Sequence, residues 1–305
     1  MKKFISVLGA VIIFLSLCSC GSNTAHTVAG KIEGEEGTES SYEPEMAQNT
    51  VDESDEDCPA IEINSGVIYE GHDVVITTKN MEKTKSGWNI NLLIENNSSL
   101  NLGFNAHAYA INGIMTQNNI YDMDCDVAAG KKANVSLELE NSILDQYGIT
   151  EIRCVDALLW AYDNDKYFKE FDTNQIEIKT SLYDATHDVL LGETIYDTDG
   201  IKVEFLVNDG NTYWFGITNT TGAYVDFDFD EISINDFTSS DINYDLIGVT
   251  LLNNCQVVLP VIVSDEFISA NDISTIESIE WNMSVRPYGE YSDAIKIGPI
   301  VYAVK

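Results

Sequence analysis

Thiols and carboxylates are the groups through which this sequence could do chemistry. It holds six cysteines and 50 Asp and Glu against four histidines in 305 residues. Cys58, Cys125, Cys154 and Cys255 lie beyond the N-terminal region and could pair in an oxidising compartment. Four thiols allow three complete pairings, and spacing does not choose among them. Cys125–Cys154 is the candidate bridge. Free, partly buried thiols are the favoured alternative, with Cys58 unpaired. The spacing fits neither a zinc ribbon nor a CxxC redox pair.

The carboxylates form rows. Asp226, Asp228 and Asp230 alternate in VDFDFDE, so on a strand all three face one side while Phe227 and Phe229 face the other. Three like charges so close must be solvated or hold a cation. The plain reading is a wet strand face; the sharper one is a weak calcium site, the one cofactor the pattern offers. Asp122, Asp124 and Asp126 repeat the row in YDMDCDV. Asp197-Thr198-Asp199-Gly200 opens like a calcium loop, but the later ligands are missing. His26, His72, His107 and His187 are scattered with no HxH or HExxH spacing. No GxSxG, P-loop or GxGxxG between strand and helix occurs, so no catalytic residue is assigned. Tyr is abundant, and Trp88, Trp160, Trp214 and Trp281 are spread over the folded part. Core filling is their first expected role, and a surface for a protein or glycan ligand the second.

The N-terminus sets the compartment. Met1-Lys2-Lys3 is a basic n-region, and Phe4 to Leu17 is an apolar run too short for a comfortable membrane span but suited to a signal peptide. The run ends in Leu17-Cys18-Ser19-Cys20-Gly21, which resembles the lipobox of bacterial lipoproteins. Leu17, Ser19 and Cys20 fit its positions, whereas choosing Cys18 would place bulky Leu17 where a small residue is needed. The resemblance implies a signal peptide over 1–19, a diacylglyceryl group on Cys20, and a mature chain held at the extracytoplasmic face of the membrane. Two acyl chains hold a protein stably where one does not. Net charge is −34, and becomes about −36 once Lys2 and Lys3 leave. Such a chain cannot grip nucleic acid or cling to an anionic bilayer by charge. The lipid on Cys20 is then its expected hold on the membrane.

These groups need elements to position them. Residues 20–59 are rich in Gly, Ser, Thr, Glu and Asp and poor in large apolar side chains, the composition of a disordered acidic tether. From Ala60 the pattern turns to short alternating runs separated by turn residues, which is antiparallel β structure. Strands are expected over 74–79, 88–95, 102–111, 115–122, 132–139, 152–162 and 175–180. A short helix is expected in NSILDQYGI, capped by Asn141 or Ser142 and ended by Gly148.

The sequence also repeats itself. Leu92-x-Ile94-x-Asn96 returns as Phe215-x-Ile217-x-Asn219, and Leu102, Phe104 and Ala106 return as Val225, Phe227 and Phe229. Ile111-Asn112-Gly113 matches Ile234-Asn235-Asp236, Val135-x-Leu137 is aligned with Val257-x-Leu259, and Ile149-x-x-Ile152-x-x-Val155-Asp156 matches Ile273-x-x-Ile276-x-x-Ile279-Glu280. Apolar positions keep register while surface positions vary. The expected fold is all-β: two tandem immunoglobulin-like β-sandwich domains, over 60–181 and 182–305, each with one short helix. The copies differ at two points, Asp236 for Gly113 and Asn253-Asn254 where the first has Gly130.

The L-C-S-C box, acidic tether, I-x-N strand ends, I-N-G turn and late G-I-x-x-I-x-x-V-D segment together resemble Firmicutes (clostridial-type) lipoproteins with tandem immunoglobulin-like domains of unknown function. The resemblance implies localisation and fold and transfers no catalytic residues. The functional expectation is a non-enzymatic surface protein that binds or scaffolds an unidentified protein or glycan. The alternatives are an enzyme or enzyme accessory acting on cell-wall or extracellular polymer, and, more remotely, a solute-binding component of a transporter.

Overall fold

The computed structural model describes residues 61–115, 123–239, 248–290 and 294–305. The signal segment, Cys20, the tether, Cys58 and Asp122 lie outside the described residues. No helix among the described residues is long and apolar enough to cross a membrane.

The chain is all-β, built as two sandwiches. In the first half, β1 (Gly66–Gly71), β2 (Val74–Lys83), β3 (Gly87–Asn96) and β7 (Lys131–Glu140) form one sheet in the order β1-β2-β3-β7. Facing it are β4 (Leu102–Ile111), β5 (Ile114–Met115), β6 (Asp124–Val127), β8 (Cys154–Asp163), β9 (Phe168–Asp172) and β10 (Ile176–Lys179), with β4 between β8 and β5. The second half repeats this. Its first sheet is β11 (Glu193–Thr198), β12 (Ile201–Asp209), β13 (Thr212–Asn219) and β17 (Gln256–Ile262). Its second is β14 (Val225–Ile234), β15 (Phe237–Ser239), β16 (Val249–Leu251), β18 (Ser278–Pro287) and β19 (Ile295–Ala303). Sheet membership is that of an immunoglobulin-like Greek key, in which consecutive strands cross between the two sheets. In the first half, strands β1, β6 and β9 are the elements periodicity did not suggest; all three are short, and Val127 of β6 is their one buried residue, so none carries a buried stripe.

Two asparagine pairs write the repeat into the hydrogen bonding. Asn96 is fully buried, and its amide donates to the carbonyls of Leu100, Val127 and Ala128 while its oxygen accepts from Ser98. Asn219 does the same with Ala223, Leu251, Leu252 and Thr221. Asn112 and Asn235 both sit at positive φ and open tight hairpins whose second residues, Gly113 and Asp236, are also left-handed. Each then reaches over to the strand that follows the helix. Asn112 Oδ1 accepts from Arg153 and Cys154 N–H, and Asn235 Oδ1 accepts from Glu277 and Ser278 N–H. These bonds make Cys154 equivalent to Ser278, and Asp156 to Glu280.

Two expectations are corrected. Leu92 pairs with Val135 and Phe215 with Leu259, so Val135 corresponds to Leu259, two residues beyond the expected match. A two-residue slip keeps every side chain on its own face, so the apolar pattern could not expose it. The first helix, α1 (Asn141–Tyr147), is capped by neither Asn141 nor Ser142: Glu140 precedes it without a side-chain cap, and Asn141 Nδ2 donates instead to Lys85 O. Gly148 ends it in the left-handed conformation as expected. In the second half α2 (Asp265–Ala270) has a true cap, Ser264 accepting from Phe267 N–H.

The halves are not separate beads. Strand β5 of the first half runs parallel to β17 of the second, with Ile114 opposite Gln256 and Met115 opposite Val257. This joins the second sheet of one sandwich to the first sheet of the next as one ten-stranded sheet. The core of the second half accordingly takes in Ala110, Met115 and Leu158 from the first.

Candidate functional site

The junction of the two halves gathers groups from three places in the chain. Cys154 and Asp156 are two residues apart on β8, hence on one face of it. His187 comes from the connector between the halves. Their potential ligand atoms all lie within 4.8 Å of one another. The connector is pinned by Asp188, whose N–H donates to Asn112 O at 2.7 Å and whose carboxylate takes Arg153 at 2.7 Å. His187 also lies close over Gly113: a Cβ there would stand 2.7 Å from His187 Cβ, and φ is +87°. The second half has Asp236 at this turn and no histidine to seat, so glycine is required only in the first copy.

The second half closes the far wall. His187 Nδ1 lies 2.8 Å from Asn254 O, an acceptor, so Nδ1 carries the proton and Nε2 is left with its lone pair. Gln175 donates to Asp156 Oδ1 and to Asn253 O, and accepts from Asn253 N–H. Fully buried Gln256 bonds both backbone groups of Leu190 in the connector. Asp156, Gln175, Glu177, His187, Tyr224 and Asn253 line an open cleft of about 480 Å³.

Burial dominates the electrostatics. Asp156 is 4% exposed, and its Oδ2 is buried without a hydrogen bond. Burial pushes its carboxyl up, against the pull of Gln175 and His187. Cys154 is fully buried; that burial, then the charges of Asp156 and Glu177, pushes its thiol up to about 12. Cys255 nearby is also raised well above the ordinary thiol value, first by burial and then by Asp156 and Cys154. A nucleophilic cysteine needs an accessible thiolate, so this Cys, His and Asp do not make a hydrolytic trio. Sulfur, nitrogen and oxygen converging beside a cleft are instead a ligand set.

The expected site residues fall elsewhere. Cys125 and Cys154 are both free, and the candidate bridge between them is absent. Cys125 pairs opposite Phe104 near one end of β4, while Cys154 bonds Asn112 just past the other end. That separates them by about 25 Å along the strand, far beyond the reach of a disulfide. Asp226, Asp228 and Asp230 do share one face of β14, but protein donors meet each of them. Thr250 and Gly289 N–H donate to Asp226, Arg286 pairs with Asp228 at 2.5 Å, and Ser284 and Lys296 donate to Asp230. Burial raises the Asp230 carboxyl, but Lys296 and Ser284 outweigh it and hold it below the usual carboxylate range. The row that read as a wet face or calcium site has a protein donor on every Asp, with charge pairs at Asp228 and Asp230. Asp124 and Asp126 remain exposed and accept from Tyr162 and Asn164.

The sequence left His187 among scattered histidines and gave Asp156 and Gln175 no role; the second half meets His187 and Gln175 through Asn254 and Asn253. The sequence did hold a signal for the place. Of the noted departures between the copies, Asn253-Asn254 line this cleft and Gly113 packs against its His187.

No protein-family profile and no curated protein matches the chain. Among solved structures it is similar to the Salmonella enterica SafA pilin in complex with the SafB chaperone, at 9% identity over 71% of this chain and 89% of that one, with a TM-score of 0.21. It is also similar to a protein of unknown function from Porphyromonas gingivalis W83, at 8% identity over 78% and 97%, with a TM-score of 0.19. At these scores neither likeness bears on function, and the immunoglobulin-like assignment rests on strand order.

Proposed function

We propose that this chain is a lipid-anchored protein of the extracytoplasmic membrane face that binds a protein or glycan ligand without turning it over. Two sandwiches joined through one sheet suit a rigid display unit. The observation that carries the reading is the tip of the β8–β9 hairpin. Tyr167 and Phe168 stand there 88% and 66% exposed. The turn beneath them is braced: buried Asp163 accepts from the N–H of Asp165 and Lys166 and pairs with Lys166 Nζ at 2.7 Å, while Asn101 donates to Asp165. Exposed aromatics on a preorganised turn bind with little ordering cost.

The test uses full-length protein and a Tyr167→Ser/Phe168→Ser variant of equal thermal stability, applied to cell-wall glycan and surface-protein fractions. Saturable capture at least tenfold weaker in the variant supports the reading. Equal capture by both, or none by either, overturns it. Turnover of a polymer in the same panel would transfer support to an enzyme or accessory role. Membrane fractionation tests the anchor: Cys20→Ala is expected in the soluble fraction, and retention on the membrane would refute lipid attachment at Cys20.

A further inference from the structure

We infer that Cys154, Asp156 and His187 bind a divalent transition-metal ion of the zinc class. A thiol, an imidazole and a carboxylate form a mixed set suited to borderline-soft ions such as Zn2+ or Co2+, and a thiol ligand disfavours Ca2+ and Mg2+. Asp156 supplies the independent pointer. Its Oδ1 is fixed by Gln175, while Oδ2 is buried without a hydrogen bond, and a burial this deep ordinarily requires a partner. The imidazole is oriented as a ligand: Nδ1–H donates to a backbone carbonyl, the outer-shell bond that fixes Nε2 for coordination. The ligand atoms span up to 4.8 Å, against about 3.5 Å between ligands of a tetrahedral ion, a gap that side-chain rotation closes. Asp156 and His187 border the cleft, which leaves the fourth position to water or an incoming donor.

The repeat predicts the stoichiometry. Ser278 and Glu280 stand where the first copy has Cys154 and Asp156, so one ion per chain is expected. This inference is independent of the ligand-binding role above. Loading would tie the connector to β8 and stiffen the junction between the halves.

Cobalt is the probe. Full-length protein, stripped with EDTA, dialysed and kept under a non-chelating reductant, is titrated with Co2+ while thiolate-to-cobalt charge-transfer absorption is followed. One equivalent is expected, displaced by Zn2+ and unaffected by excess Ca2+. The band should vanish in Cys154→Ser, which places in β8 the residue that β18 already carries at the matching position. It should survive in Cys255→Ser. Asp156→Asn and His187→Ala, with the thiol intact, should each weaken binding at least tenfold. Circular dichroism confirms that each variant is folded. Absence of the band from folded wild type, or a band indifferent to the Cys154 and Asp156 substitutions, refutes the site.

Discussion

Acidification is expected to weaken the junction through His107. Its ring stacks on Trp160 at 3.8 Å, and Trp160 Nε1 donates across the junction to Tyr288 OH. His107 Nε2 lies 2.9 Å from Thr250 Oγ1, and that hydroxyl donates onward to the Asp226 carboxylate. The hydroxyl must therefore accept from Nε2–H, which leaves Nδ1 as a buried lone pair without a partner. A proton placed on Nδ1 would have no acceptor. Burial accordingly lowers the imidazole from 6.5 to about 4; Asp172 pulls the other way and Lys169 adds to the lowering. Above pH 6.5 the ring is neutral in both folded and unfolded chains and contributes nothing. As pH falls toward 4 the unfolded chain takes the proton and the folded chain resists it, so stability is lost. The shift corresponds to about 3 kcal/mol, or about 2 kcal/mol after allowing for solvent screening at the exposed part of the ring. Urea unfolding at pH 7, 6, 5 and 4 should be compared between wild type and His107→Phe, which keeps the stack and removes the titration. The many carboxylates titrate in both proteins, so the difference isolates His107. Wild type should lose about 2–3 kcal/mol relative to the variant by pH 4. Parallel profiles would refute the account of the buried Nδ1.

Asn96→Ala and Asn219→Ala should each cost about 3 kcal/mol in urea unfolding, because each strands several buried carbonyls; a large disparity would refute their equivalence. Gly113→Ala should destabilise by about 2 kcal/mol, through its positive φ and the collision with His187, whereas Asp236→Gly at the matching turn should be neutral or stabilising. Arg286→Ala should cost about 2 kcal/mol by leaving part-buried Asp228 unpaired between Asp226 and Asp230, while exposed Lys296→Ala should cost less than about 1 kcal/mol. Equal losses at Arg286 and Lys296 would show that burial does not set the strength of that ladder.

Most of the strands, the tight turns and the repeat were legible in the sequence. Each is local: alternation places Phe227 inward and Asp228 outward, and Asn112 and Asn235 tolerate the positive φ their hairpins need. The Asp row was equally legible as a face, but not its partners, because Arg286 and Lys296 lie more than fifty residues away along the chain. The fate of the cysteines was not legible either, since strand register along β4 decides whether two thiols can meet. The pairing at the junction left no trace in the sequence. The parallel β5–β17 pairing involves two residues on each strand, too few to leave a pattern. Yet that pairing brings Asn254 to His187 and Asn253 to Gln175, beside the cluster of buried Cys154 and Asp156 with half-buried His187. Periodicity reports which face a residue occupies; only the docking of one sandwich on the other determines what that face meets.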